Sequence, residues 1–307
     1  MKKIVITGGT GFLGKAIAQE CVRRGHSVVI ISRGAPVVDV YHGELTFHWP
    51  SVAGCDVVGW NGLQEAVDQA DAVINLAGAS VGGPRWTARV RHDILASRID
   101  ATKQVVDAIA RSPQAPCLIS ASAVGFYGNT MVPSSEAMGA GTTFLAVVTH
   151  AWEQEAMKAC DHTRVVCLRI GVVLDARQGA LPKMVQPLKM YVGGVLGSGR
   201  QWLPWVHVHD VVQAFIWALE KQDLEGPVNL VAPEAVTMQQ FTEQLSSVLH
   251  RPAWLPVPGF VLRLMLGRQA DVVLHGQHVI PNRLLGSDFT FKFPSLRKAL
   301  EDLLTVR

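Results

Sequence analysis

The run Thr7-Gly8-Gly9-Thr10-Gly11-Phe12-Leu13-Gly14 constrains this chain more than any other feature. It follows a short apolar strand pattern at 4–7 and opens a helical pattern at 15–24. Gly8 and Gly11 permit a tight turn and close approach of backbone to a pyrophosphate, and Gly14 lets helix and strand pack closely. Thr10, Phe12 and Leu13 supply the rest of the turn, so the free N–H groups at the helix start face the anion. A glycine-rich turn without a ligand is the alternative. The strand before it and the helix after it are the context that favours a dinucleotide cradle.

Strand and helix patterns then alternate. Strands are expected at 27–32 (SVVIIS), 45–49, 72–76 (AVINL), 117–120 (CLIS) and 165–170 (VVCLRI), and helices at 62–69, 89–111 and 149–160. Such alternation implies βαβ units, hence an α/β, Rossmann-type doubly wound parallel sheet. After Gly171 the rhythm changes to a Gly-, Pro- and Met-rich stretch at 178–205, and a Pro-rich then apolar stretch begins near 252. The expected division is a dinucleotide-binding domain of 1–175 plus about 206–232, with a smaller substrate-side lobe of about 176–205 plus 233–307 ending in a helix at 296–304.

Composition excludes several classes. Lys plus Arg number 28 against 25 Asp plus Glu, and the longest basic cluster is a pair, which argues against a nucleic-acid surface. Five scattered cysteines, none spaced as Cys-x-x-Cys, suit a reducing compartment without disulfides or a zinc site. The apolar stretch at 4–6 is too short for a signal peptide, and no run approaches the roughly 20 residues of a membrane span. A cytoplasmic protein with no membrane partner is expected.

The second strand ends in Ser32-Arg33. An acid there would accept from the ribose 2′-OH of NAD, whereas arginine favours the 2′-phosphate of NADP. Arg33 and Ser32 therefore point to NADP (NADPH), the alternative being a solvent-exposed arginine.

Beyond the cradle, the motifs NLAG at 75–78, SAS and YG at 120–128, LRIGVVL at 168–174, GSGRQWLPWVHVHD at 197–210 and PNRLLGSDFTF at 281–291 span nearly the whole chain. With them the sequence resembles the extended short-chain dehydrogenase/reductase superfamily, in particular its epimerase-like YfcH branch with a small C-terminal domain. The resemblance implies that Asn75, Leu76, Ala77 and Gly78 line the adenosine-ribose and pyrophosphate channel. It implies that Arg98 contacts the cofactor and that Gly171 and Val172 approach the nicotinamide. Ser120 and Arg169, inside matching segments, count with the cofactor side, and Ser122 falls where the family keeps a catalytic serine. Related folds often dimerise through two helices flanking the active site, which makes a homodimer possible.

The departure concerns catalysis. The wider family transfers protons with a Tyr-x-x-x-Lys pair on the helix after the fifth strand. Here the only tyrosines are Tyr41, Tyr127 and Tyr191, none followed four residues later by lysine. Tyr127 is one replacement, or a packing residue. His150 and Glu153 lie on the right helix, where such residues usually face solvent. His207 and His209 share a strand face, but Asp210 reads better as the cap of the next helix than as a third ligand, so no metal is expected. Arg85, Trp86, Trp202 and Trp205 could clamp a planar or anionic substrate, or simply pack the lobes. Two readings follow: an NADP-dependent oxidoreductase or nucleotide-sugar-epimerase-like enzyme acting on a small molecule in an inter-lobe cleft, or a non-catalytic NADP-binding regulatory or redox-sensing protein.

Overall fold

The computed structural model describes residues 1–34, 37–41, 44–48, 52–83 and 85–305, with backbone only at 37–41 and 44–48. Seven parallel strands form one sheet: β1 (Lys3–Thr7), β2 (Ser27–Ser32), β3 (Asp56–Gly59), β4 (Ala72–Asn75), β5 (Cys117–Ala123), β6 (Val165–Ile170) and β7 (Gly226–Leu230). Their spatial order is β3-β2-β1-β4-β5-β6-β7. The helices are α1 (Phe12–Arg23), α2 (Leu63–Asp68), α3 (Ala88–Arg111), α4 (Phe144–Met157), α5 (Leu181–Lys189), α6 (Val208–Glu220), α7 (Met238–Leu249), α8 (Gly259–Leu266) and α9 (Leu296–Leu304), with shorter turns between some of them.

Alternation along β1 shows how both faces are covered. Ile4 and Ile6 pack with α1 and α6 on one side, and Val5 with α2 and α3 on the other. Register is continuous across the reversal point, with Ile6 beside Ile30 of β2 and Ile74 of β4. Chain order reverses between β1 and β4, and open α/β sheets bind ligands in the crevice outside the carboxyl ends of the strands at such a point. This is a Rossmann-type fold with a smaller C-terminal part.

The third sheet strand is Asp56–Gly59, which corrects the expectation at 45–49. Residues Glu44–His48 pair instead with Val37–Tyr41 as an antiparallel hairpin, and Trp49 lies outside the described residues. A local hairpin satisfies those backbone groups without a crossover, and strand patterning alone does not distinguish the two.

After Ile170 the chain leaves the sheet, then returns with α6 and β7. A separate apolar cluster gathers Leu181, Val185 and Leu188 of α5, Phe241 and Leu245 of α7, Leu296 and Leu300 of α9, and Trp205. Trp205 is buried there, its indole N–H donating to the Glu234 carbonyl at 2.9 Å, so it packs rather than lining a cleft. Residues 281–291 run as a strap over β7 and α6: Arg283 Nη1 donates to the carbonyls of Glu225 and Pro227, and Trp217 Nε1 donates to Asp288 at 2.9 Å. Among the described residues no helix is long and apolar enough to cross a membrane.

The start of α6 departs from expectation. His207, not Asp210, caps it, Nδ1 accepting from the His209 N–H at 3.0 Å. The Asp210 carboxylate receives the N–H groups of Lys292 and Phe293 at 2.9 and 3.0 Å, anchoring the approach to α9. His207 is buried and stacked on Phe293, with Nε2 3.4 Å from Asp302 but not in hydrogen-bond geometry. Burial outweighs the attraction of Asp302 and pushes its pKa down from 6.5 to about 4. The folded protein therefore holds a neutral imidazole that the unfolded chain would protonate. Stability contributed at neutral pH is lost as pH falls from 6.5 towards 4, by up to about 3 kcal/mol. His207→Asn keeps a capping acceptor but does not titrate, so urea unfolding across that window should show a shallower pH dependence than wild type.

Candidate functional site

The cradle begins where β1 ends. Gly8 takes φ +69, and a Cβ on it would stand 2.8 Å from the Leu76 carbonyl oxygen. Only glycine admits both the left-handed backbone and the contact with β4. At Gly14 a Cβ would strike the Gly8 and Gly9 backbone, so α1 starts directly on the turn. Gly11 stands at the N-cap of α1 without a side-chain cap, and the first turn Phe12–Lys15 carries no acid. Uncapped N–H donors and an unneutralised dipole end make this a fit for a dinucleotide's phosphates. Thr10, Phe12 and Leu13 are half-buried around it. At the end of β2, Ser32 is buried and its hydroxyl accepts from the Gly34 N–H at 3.3 Å, while Arg33 is exposed.

Across the crevice, the backbone at Leu76 and Ala77 touches Gly8, and Gly78 abuts Arg98 of α3. Arg98 Nη1 donates to the carbonyls of Ala79 and Ile94 at 3.0 and 2.9 Å, and its guanidinium lies 5.1 Å from the Trp152 ring. Burial, with no offsetting charge beside it among the described residues, lowers its pKa to about 10. A desolvated cation beside the crevice suits an anionic ligand.

Asn75 and Ser120 do not line the channel. Asn75 is wholly buried, accepting from the Thr7 hydroxyl at 2.7 Å and donating to Thr102 at 2.8 Å and Ser120 at 3.4 Å; Trp152 Nε1 also reaches Thr102. This network ties β1, β4, β5, α3 and α4 beneath the crevice, so these polar side chains act as braces.

A second buried network occupies the place expected for acid/base chemistry. Arg169 on β6 makes a two-pronged ion pair with Glu153 on α4, Nε to Oε1 and Nη2 to Oε2, both at 2.8 Å. Ser122 on β5 donates to Glu153 Oε1 at 2.6 Å. Arg169 Nη1 donates to the Tyr127 hydroxyl at 2.9 Å, which donates to Asn229 Oδ1 of β7 at 2.6 Å. The guanidinium also stacks 3.5 Å from the Phe126 ring centre. All five polar residues are buried.

This arrangement corrects two expectations. Arg169, expected on the cofactor side, has its guanidinium buried and engaged with Glu153 and Tyr127. Tyr127 is not poised as an acid/base: burial, partly opposed by Arg169, raises its phenol pKa, the opposite of what a base near neutrality requires. Glu153 was expected at the surface like its neighbour His150, which is exposed. The sequence held a signal for it: Thr149, Trp152, Glu153 and Ala156 share one helical stripe, and an arginine inside the buried strand VVCLRI needs an acid.

The remaining candidates are dispersed. Gly171 and Val172 carry the chain into the second lobe, with Val172 N–H donating to the Pro204 carbonyl at 2.7 Å. Arg85 is exposed but donates to the carbonyls of Leu264 and Met265 in α8. Trp86 turns its indole N–H to the Val81 carbonyl and packs edge-on to Phe144. Trp202 instead stacks on His278 with ring centres 4.1 Å apart. No group of three or more His, Cys, Asp or Glu able to hold a metal ion is gathered among the described residues.

Residues 4–231 match the model of the NAD dependent epimerase/dehydratase family. The chain belongs to that family. Residues 257–303 match a domain of unknown function, DUF1731. The epimerase family protein YfhF of Bacillus subtilis is 38% identical over 99% of this chain and 98% of its own. The epimerase family protein SDR39U1 of Mus musculus is 35% identical over 98% and 99%. A crystal structure of human SDR39U1 with NADPH superposes with a TM-score of 0.88 at 32% identity, covering 98% of both chains. MoeE5 in complex with UDP-glucuronic acid and NAD shares the fold, with a TM-score of 0.77 at 19% identity over 97% of this chain and 96% of its own.

Arg169→Leu strands the Glu153 carboxylate in the interior and should destabilise the protein by about 3–5 kcal/mol in urea unfolding. Ser122→Ala, which leaves the ion pair whole, should cost about 1–2 kcal/mol.

Proposed function

We propose that this protein binds NADP(H) and is an oxidoreductase or nucleotide-sugar-epimerase-like enzyme acting on a small molecule between its Rossmann domain (1–175 with about 206–232) and a smaller lobe (about 176–205 with 233–307). The observation that carries the cofactor reading is the uncapped, acid-free start of α1 set directly on the Gly8 turn. Exposed Arg33 beside Ser32 supports the 2′-phosphate, and the human relative holds NADPH. In this reading the dinucleotide crosses Gly8, Thr10, Gly11, Phe12, Leu13 and Gly14, with the 76–78 backbone and Arg98 on its far side and Gly171 and Val172 towards the nicotinamide. The cofactor supplies hydride chemistry when bound.

Ser122 is the serine this reading keeps nearest the chemistry. Its proton is donated to Glu153, so its oxygen can only accept, which suits a substrate hydroxyl over a carbonyl. One observation favours the non-catalytic alternative: the hydroxyls of Tyr127 and Ser122 are both engaged inside the closed Arg169 network.

Two measurements test the reading. Arg33→Ala should weaken NADPH binding about ten- to a hundredfold in titration calorimetry while leaving NADH nearly unchanged; equal losses would overturn the NADP preference. Nicotinamide absorbance should change when the protein, charged with NADP or NADPH, meets a panel of alcohols, carbonyls and sugar nucleotides. Silence across the panel, with no sugar nucleotide epimerised in product analysis and Ser122→Ala indistinguishable from wild type in the cell, would favour the binding-only alternative.

A further inference from the structure

The stretch after β4 lies where the dinucleotide would cross between β1 and β4, and the second lobe grips it. Gln269 Nε2 donates to the Val81 carbonyl at 2.8 Å and the Gly83 carbonyl at 3.4 Å. Lys183 Nζ, from α5, donates to the Gly82 carbonyl at 3.3 Å. In return, Arg85 reaches into the second lobe, with Nε donating to the Met265 carbonyl at 3.0 Å and Nη2 to those of Leu264 and Met265. These carbonyls belong to the last three residues of α8, where a helix leaves acceptors unsatisfied and favours a cation. The bonded residues stand 101 to 188 positions apart in sequence.

The same stretch is continuous with the cradle. Ala79 N–H donates to Ser97 Oγ at 2.9 Å, its carbonyl receives Arg98, and three residues earlier the Leu76 carbonyl is against Gly8. Val81–Gly83 thus follows directly on a backbone stretch that is bonded to α3 and packed against the Gly8 turn. Leu264, Met265 and Gln269 all lie within the segment matching the domain of unknown function.

We propose that this segment is a clasp for the cofactor: Arg85, Gln269 and Lys183 are positioning residues that hold 79–83 over the bound dinucleotide and set the rate at which it leaves. The proposal rests on the NADP(H) reading above. None of the clasp's bonds is made to residues 7–14 themselves, so opening the clasp speeds release more than it alters capture.

The test is stopped-flow release of NADPH from the full chain, chased with excess NADP and followed by nicotinamide fluorescence, alongside association rates and thermal melts. Arg85→Ala/Gln269→Ala should release NADPH about tenfold faster, with association within about twofold of wild type. Arg85→Lys, which keeps the charge but loses the guanidinium's fork of Nε and Nη2, should fall between. Arg283→Ala is the control: it loosens the same C-terminal segment from β7, away from the clasp, and should release NADPH at the wild-type rate. Hydrogen exchange of the ligand-free double variant should rise at 79–87. A folded double variant with wild-type release, or equal acceleration by Arg283→Ala, overturns the clasp alone. If wild-type protein binds no NADPH, the cofactor reading falls and the release role with it.

Discussion

The buried ion pair between Arg169 and Glu153 is the hub on which the carboxyl ends of β5, β6 and β7 depend. A guanidinium in the middle of a buried strand is affordable only with its charge and donors met. Meeting them draws in α4 through Glu153, β5 through Ser122, the turn after β5 through Tyr127 and Phe126, and β7 through Asn229. Asn229 extends the chain to the carbonyls of Ser134 and Ile280, where the C-terminal strap begins. The carboxyl ends of three strands are thereby fixed relative to one another, and with them the floor of the crevice.

The same closure shapes the chemistry. In the arrangement the family resemblance implies, a tyrosine made acidic by a neighbouring lysine exchanges protons with substrate. Here the nearby tyrosine is buried and hydrogen-bonded on both sides, and the cation beside it is already neutralised by Glu153. On one side stand the uncapped N–H groups of the α1 start and the Arg98 guanidinium, while on the other the polar side chains are engaged with one another. Any turnover must be consistent with a serine oxygen that accepts and does not donate.

Much of the fold was legible because it is local. The glycine run, the β-branched strands and the 3.6-residue periodicity of α3 each identify their element without reference to distant residues. The pairing of 37–41 with 44–48 was not legible, since a strand pattern does not name its partner, and the third sheet strand Asp56–Gly59 lacks the continuous buried run that marks Ala72–Asn75. The site was half legible. Gly8 and Gly14 are required by backbone geometry, which sequence spacing records. Asn75, Ser120, Arg169 and Tyr127 turn inward, and which way a polar side chain turns depends on partners brought from 16 to 102 residues away.

The sequence by itself determined the parallel sheet, the phosphate cradle, the arginine after β2 and the loss of the tyrosine–lysine pair. Each follows from residue type at short spacing. The tertiary structure alone decided that Glu153 lies inside, that His207 and not Asp210 caps α6, and that Arg85 grips α8 in place of a substrate. Those outcomes turn on which buried charge or unpaired carbonyl lies nearest once the chain has packed, and in a low-dielectric interior the nearest complementary group takes the side chain.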